Sequence, residues 1–184
     1  MTNEVSLILK ENKRRNEEIH AKFDPIRGIN SIGDREKFYL SDFPIQEQFI
    51  PVEMNNIPLI KKLKKHKSIK LLLIEIFKTE NKNCTEDDIE EYCESDDYTK
   101  DRLKVIQQFV RLRCRYDFAF WAAFYIYIKN KGGGEDVLFR LTRPQRRLVK
   151  KLEELRKANK PIRLILLKAR QWGGSTTIQL YMAW

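Results

Sequence analysis

The feature that most constrains this 184-residue chain is an apolar stretch that leads into a glycine turn. Residues 164–167 are Leu-Ile-Leu-Leu, Gly173 and Gly174 follow closely, and a helical pattern comes next. This order predicts a buried strand, a tight turn and a helix. Because such a unit aims backbone N–H groups and a helix N-terminus at one point, it stabilises an anionic phosphate there. The pattern therefore predicts an α/β arrangement with a nucleotide at the turn.

The turn departs from the standard phosphate-binding loop at its lysine. When the segment is aligned with GxxxxGK[ST], Lys168 stands at the first glycine, Gly174 at the lysine and Ser175 at the hydroxyl that binds Mg²⁺. A cation is still needed to neutralise the β and γ phosphates of a nucleotide. Lys168 and Arg170 are both candidates, and the sequence leaves the choice between them open.

A segment upstream of the turn predicts a second part of the same site. Residues 138–145 indicate a short strand and then a helix start, with Thr142 as the N-cap and Pro144 in the first turn. The side-chain amide of Gln145 can both donate and accept hydrogen bonds, which suits the N6 and N7 edge of adenine. Phe139 could pack near the base, or it could equally be a core residue of the strand.

Together the two segments resemble the beginning of the ATPase domain of large terminase subunits, the DNA-packaging motors of tailed bacteriophages. Those motors have a deviant phosphate loop with a displaced basic residue and a glutamine-containing element upstream that reads adenine. The resemblance covers roughly the last third of the chain. It implies ATP and Mg²⁺ as cofactors, with Ser175 as the Mg²⁺ ligand. The ATP-binding residues that it implies are Gln145, Lys168, Arg170, Gln171, Gly173, Gly174, Ser175 and Thr176.

The expected fold class is α/β, with a mainly helical N-terminal region followed by the truncated start of a P-loop ATPase domain of the ASCE type. Residues 1–115 form the helical accessory region, and residues 116–184 form the start of the ATPase domain. In the second part, residues 117–125 predict a buried helix, and residues 125–128 and 137–141 predict a hairpin around a glycine turn.

The second acidic strand and the acidic nuclease cluster of terminases do not follow the loop in this sequence. We therefore expect the N-terminal portion of a longer protein, with no catalytic residue in this portion and no ATP hydrolysis by it alone. The resemblance implies that the full-length protein packages viral double-stranded DNA as a homo-oligomeric ring. The small terminase subunit and the portal protein are its implied partners, in the host bacterial cytoplasm and transiently at the procapsid portal.

The net charge of +10 indicates attraction to polyanions, and nucleic acid is the natural partner. The densest basic run lies at residues 61–67. It predicts contacts to the phosphate backbone of DNA, although a solvated helix face explains it equally simply. The candidate residues are Lys61, Lys62, Lys64, Lys65 and Lys67.

Other features of the sequence exclude several classes of protein. The longest apolar run, residues 118–128, is shorter than the roughly 17 residues needed to span a bilayer, so no membrane segment is expected. The three cysteines lack CxxC spacing, and neither a disulfide framework nor a metal site is predicted. Two alternatives stay open beside the packaging ATPase. These are a helicase-like P-loop ATPase, and a DNA-binding or assembly module with a vestigial phosphate loop.

Overall fold

The structure, a computed structural model, describes residues 4–130, 132–167 and 172–184. Over these ranges the chain is mainly helical, with two small antiparallel sheets. None of the helices in these ranges is long and apolar enough to cross a membrane. The α-helices are α1 (Glu4–His20), α2 (Pro58–His66), α3 (Ile69–Glu80), α4 (Glu86–Glu94), α5 (Asp96–Tyr116), α6 (Phe118–Tyr125), α7 (Arg143–Lys157) and α8 (Gly174–Ala183). The strands are β1 (Arg35–Tyr39), β2 (Glu47–Pro51), β3 (Tyr127–Ile128) and β4 (Val137–Leu138), and a 3₁₀ helix spans Val52–Asn56.

A first hydrophobic core forms where the β1–β2 hairpin packs against helices α2, α3 and α5. Phe38 of β1 stacks on Phe109 of α5, with 5.2 Å between the ring centroids. Burial of large apolar side chains contributes about 25 cal/mol per Å² of apolar surface removed from water, so these contacts stabilise the packing of sheet on helix. The other buried members of this core are Leu40, Ile50, Met54, Ile60, Leu63, Ile69, Leu72 and Leu73.

Helix N-caps fix where the helices around this core begin. The Asp42 carboxylate accepts hydrogen bonds from the backbone N–H groups of Ile69 and Lys70, at 2.9 and 2.8 Å, which satisfies two orphan donors of α3. Burial alone would raise the pKa of Asp42, but these bonds and one from Ser68 outweigh it and hold that pKa below its usual value. Thr85 and Asp88 form a capping box at the start of α4.

A second core joins α6, the β3–β4 hairpin, α7 and α8. The predicted buried helix is confirmed as α6, and the predicted hairpin is confirmed, although each strand is only two residues long. Phe118 packs edge-on against Tyr181 and Trp184 of the α8 region, at centroid distances of 5.4 and 5.5 Å. The remaining buried members are Ala119, Ala122, Phe139, Leu141 and Val149.

A buried ionic cluster lies between the two cores. Asp117, the N-cap of α6, accepts two hydrogen bonds from the Arg35 guanidinium, at 2.7 and 2.9 Å. The Nε of Arg113 lies 3.6 Å from the same carboxylate, and its guanidinium stacks over the Phe120 ring at 4.1 Å. Burial lowers the pKa of Arg113 to about 10, against the opposing effect of Asp117, and the side chain stays protonated at neutral pH. The cluster thus connects β1, α5 and α6.

The predicted buried strand at residues 164–167 is wrong. These residues have no regular secondary structure, and the side chains of Ile165 and Leu167 are 96% and 94% exposed, against 40% for Leu164 and 39% for Leu166. A strand requires neighbours for its backbone hydrogen bonds, and both sheets of the described residues lie elsewhere in the chain. The alternating exposure nevertheless has the period of two that an extended segment gives.

Removal of the Asp117 carboxylate should strongly destabilise the fold. In Asp117→Ala, two buried arginines lose their counter-charge, and we expect a loss of about 3–5 kcal/mol in the free energy of unfolding, measured by urea denaturation. The matched control is Asp97→Ala, since Asp97 forms an exposed pair with Lys100 at 3.0 Å. Such a surface pair contributes about 0–1 kcal/mol. Equal losses in the two variants would contradict a structural role of the buried cluster.

Candidate functional site

Helices α7 and α8 lie side by side and run in the same direction. Gln145 contacts the start of α8 at Gly173, and Glu153 further along α7 contacts Tyr181 of α8. The guanidinium of Arg156 lies 5.9 Å from the ring of Trp184, at the end of both helices. The contacts advance toward the C-terminus along both helices by the same number of residues, so the helices are parallel. Their N-termini, which carry the positive ends of the helix dipoles, therefore lie next to each other.

The predicted glycine turn occurs at the adjoining N-termini. Gly173 is the N-cap residue of α8 and has a left-handed backbone, with φ of 78°. A glycine has no side chain to cap a helix, and no side chain of the described residues caps α8. The first backbone N–H groups of α8, on Gly174, Ser175 and Thr176, thus receive no capping side chain from the part of the chain that the structure describes. Uncapped N–H groups of this kind are suited to bind an anion.

Gln145 connects the N-termini of the two helices. Its side chain is only 3% exposed. Its Oε1 accepts a hydrogen bond from the backbone N–H of Thr142 at 2.8 Å. Its Nε2 donates to the carbonyl oxygens of Trp172 and Gly173, both at 3.3 Å. The amide that was predicted to read adenine is thus engaged with the glycine turn, and base reading by Gln145 stays a prediction.

The close approach of side chains requires glycine at both positions of the turn. A Cβ on Gly173 would lie 2.6 Å from Nε2 of Gln145, and a Cβ on Gly174 would lie 2.7 Å from the indole of Trp172. The Nε1 of that indole is buried without a hydrogen-bond partner among the described residues. The turn is therefore packed on both sides, and it holds an N–H donor without an acceptor.

The hydroxyl side chains of the first turn of α8 divide into two groups. Ser175 and Thr176, both predicted to bind ATP, are exposed at the start of the helix. Thr177 was not predicted, yet it is fully buried, and its hydroxyl donates to the carbonyl oxygen of Gly173 at 2.9 Å. Its position four residues after Gly173 is the signal that sequence reasoning overlooked. Because the Ser175 side chain is exposed, it is accessible to the Mg²⁺ ion that the sequence predicts it to bind.

The remaining predicted residues of the loop are Lys168, Arg170 and Gln171, and they lie outside the described residues. The choice between Lys168 and Arg170 as the cation therefore stays open. In the part of the chain that the structure covers, no group of three or more His, Cys, Asp or Glu side chains could hold a metal ion. A Mg²⁺ ion at Ser175 would need further ligands from the nucleotide and from water.

A charged network holds the C-terminal ends of the two helices together. Glu153 of α7 accepts hydrogen bonds from the hydroxyl of Tyr181 at 2.5 Å and from Arg156 at 2.6 and 3.0 Å. Burial alone would raise the pKa of Glu153, but these bonds outweigh it and hold the pKa below its usual value. Burial and the Glu153 carboxylate raise the pKa of Tyr181. The hydrogen bond from the neutral Tyr181 phenol to the charged Glu153 carboxylate holds the C-terminal parts of α7 and α8 together. Gln145 holds their N-terminal ends together.

The predicted DNA-contact lysines lie on and just after α2, away from the turn. Lys64 forms an ion pair with Glu36 at 2.8 Å, and Lys65 forms one with Glu75 at 2.9 Å. Lys67 has a left-handed backbone and caps the C-terminus of α2. Lys61 and Lys62 are exposed. Two of the five candidates thus already have acidic partners, which reduces the positive charge of this face.

No protein-family model, no curated protein and no solved structure matches this chain.

Substitution of Gly173 tests the packing of the turn. In Gly173→Ala, the methyl group would displace Gln145 and break its bonds to two carbonyl groups, at a cost of about 1–3 kcal/mol. A left-handed alanine adds about 1–2 kcal/mol. Gly133→Ala is a matched control, because Gly133 has φ of 79° and open space around its Cβ position. We expect a larger loss of unfolding free energy, measured with urea, for Gly173→Ala. Equal losses would show that the Gln145 contact does not constrain the turn.

Proposed function

We propose that the turn at residues 172–176 binds the phosphate groups of ATP, and that the protein is part of a DNA-packaging motor of the large terminase class. The observation that carries the proposal is the adjacency of two parallel helix N-termini at an uncapped glycine turn. Both helix dipoles and the open N–H groups of α8 favour negative charge at this point. The buried indole N–H of Trp172, which has no hydrogen-bond partner among the described residues, is a further donor near the turn.

The path of the chain between the helices supports a P-loop domain. Helix α7 has 15 residues and is therefore about 22 Å long. Because α8 is parallel to α7, the chain must return over that length between the end of α7 and the start of α8. In a P-loop domain the chain makes the same return before the phosphate loop, between two helices that run in the same direction. Residues 164–167 belong to the returning segment, where they are extended without forming a strand.

The residues of the turn would have distinct roles toward the nucleotide. The N–H groups of Gly174, Ser175 and Thr176 would donate to phosphate oxygens, and the Ser175 hydroxyl would bind Mg²⁺. Either Lys168 or Arg170 would neutralise the β and γ phosphates, with Gln171 beside them in the loop. Gln145 would hold the turn in place. To read the adenine edge, its Nε2 would have to exchange the bonds to the Trp172 and Gly173 carbonyl oxygens for bonds to the base. In a complete motor, hydrolysis of the bound ATP to ADP and phosphate would supply the free energy that moves DNA.

The wider role follows from the terminase resemblance. Double-stranded viral DNA is the proposed cargo, and the small terminase subunit and the portal are the proposed protein partners. The full motor would act as a ring of identical subunits in the host cytoplasm. The basic composition of the chain supports a polyanionic partner.

Fluorescent ATP binding to this chain tests the proposal. We expect a fluorescent ATP analogue to bind with Mg²⁺, and we expect Lys168→Ala or Arg170→Ala to weaken binding by about tenfold to a hundredfold. That range corresponds to the loss of one charge-assisted hydrogen bond to phosphate, about 1.5–3 kcal/mol. The other of the two variants should retain most of the affinity.

Lys160→Ala is the matched control, since it removes an exposed lysine from the same connecting segment. It should bind the analogue as tightly as the unmodified chain. Normal binding by both Lys168→Ala and Arg170→Ala would contradict the displaced-cation assignment. No detectable binding by the unmodified chain would contradict the nucleotide site itself.

A further inference from the structure

A cleft of about 590 Å³ lies between α1, the loop at residues 30–34 and the first half of α7. Its charged lining is mostly basic. Arg14 comes from α1, and Arg146, Arg147 and Lys150 come from α7. The lining also includes two acidic residues, Glu17 of α1 and Asp34 of the loop. The cleft therefore has an excess of positive charge within a concave surface.

The concave shape increases the effect of these charges. A cleft whose lining has an excess of one sign of charge focuses the electrostatic field and raises the local concentration of oppositely charged ligands, although Glu17 and Asp34 weaken this effect here. The aromatic ring of Phe23 stacks under the Arg146 guanidinium at 4.3 Å, which fixes one wall of the cleft. Arg14 is held by two hydrogen bonds to Glu11, both at 2.8 Å, and this acidic partner reduces the positive charge that Arg14 contributes to the cleft.

The order of charges along α7 is unfavourable for an isolated helix. Its first turn contains no acidic residue, and Arg143, Arg146 and Arg147 lie within its first two turns. Positive side chains near a helix N-terminus oppose the helix dipole, and like charges three or four residues apart repel each other by a few tenths of a kcal/mol. The first two turns of α7 thus concentrate positive side chains beside the cleft.

The cleft also holds a polar group without a partner. The hydroxyl of Ser31 lines the cleft, is buried, and has no hydrogen-bond partner among the described residues. Buried polar atoms are usually hydrogen-bonded, and an exception often marks a place for a water or a ligand. A hydroxyl beside arginine and lysine side chains is a common environment for a phosphate oxygen.

We propose that the cleft between α1 and α7 binds the phosphodiester backbone of a nucleic acid, with Arg146, Arg147 and Lys150 as its principal contacts. The proposal is independent of ATP binding at the glycine turn. It places the main nucleic-acid contact on the cleft and not on the lysines of α2. On α2, Lys64 and Lys65 form ion pairs with Glu36 and Glu75, which reduce the positive charge of that face.

Charge reversal on the two surfaces tests the proposal. One variant combines Arg147→Glu with Lys150→Glu, and the control combines Lys61→Glu with Lys62→Glu. All four side chains are exposed, and both variants change the net charge equally. Binding is measured by fluorescence anisotropy with a labelled duplex and with a single strand of equal length, over a series of salt concentrations.

We expect the cleft variant to lose about tenfold or more in affinity. The slope of log K against log salt should also become shallower by about two, because two phosphate contacts are removed. The control should lose no more than about threefold. The two probes tell whether the cleft takes double-stranded or single-stranded nucleic acid. Equal losses in both variants would overturn the proposal, because general charge attraction would then explain binding.

A variant that is expected to bind more tightly shows that the losses in the charge-reversal variants do not come from misfolding. Glu17→Gln removes a negative charge from the cleft wall without adding a cation, and it should tighten binding severalfold with unchanged urea stability. Unchanged or weaker binding by Glu17→Gln would count against the cleft, whatever the charge reversals show. If the chain binds nucleic acid but not ATP, that result contradicts only the nucleotide site proposed at the glycine turn and leaves the cleft proposal standing.

Discussion

The fold depends on the buried contact between Asp117 and the guanidinium groups of Arg35 and Arg113. Removal of charges from water is costly, and a buried ionic cluster is tolerated only when its hydrogen bonds are well satisfied. Here the Arg113 guanidinium also contacts Oε1 of Gln48 in β2 and donates to the carbonyl oxygen of Pro25 at 3.3 Å. The cluster thus fixes an N-terminal loop, the first hairpin and helices α5 and α6 in a single arrangement.

The position of the candidate nucleotide site follows from this arrangement. Asp117 caps α6, and α6 provides the surface on which α7 and α8 pack. The indole N–H of Trp184 donates to the carbonyl oxygen of Cys114 in α5 at 2.6 Å, which ties the end of α8 to the same region. Gln145 and Glu153 then set the register between α7 and α8. The glycine turn is therefore held by contacts that begin at the buried cluster.

Local features of the fold were predictable from the sequence, whereas long-range pairings were not. Thr85 and Thr142 act through neighbours within four residues, so their effect is visible in the order of residues. The glycine pair is visible in the sequence too, but its packing against Gln145 joins residues 28 positions apart. Arg113 lies in a basic stretch of α5, and no local pattern marks it as buried, because its partners Gln48 and Pro25 lie 65 and 88 residues away along the chain. Residues 164–167 have the composition of a buried strand, but their exposure depends on neighbours that composition does not specify. The basic cleft needs α1 and α7 side by side, which no sequence pattern indicated.

In the proposed nucleotide site, the first N–H groups of α8 would bind the phosphates of ATP. This binding is tested by the backbone amide chemical shifts of a ¹⁵N-labelled chain, recorded during titration with ATP and Mg²⁺. We expect saturable shifts at Gly173, Gly174, Ser175 and Thr176, with a further shift of the Gln145 side-chain amide. Shifts confined to residues 61–67, or no shift at the start of α8 at millimolar ATP, would contradict it.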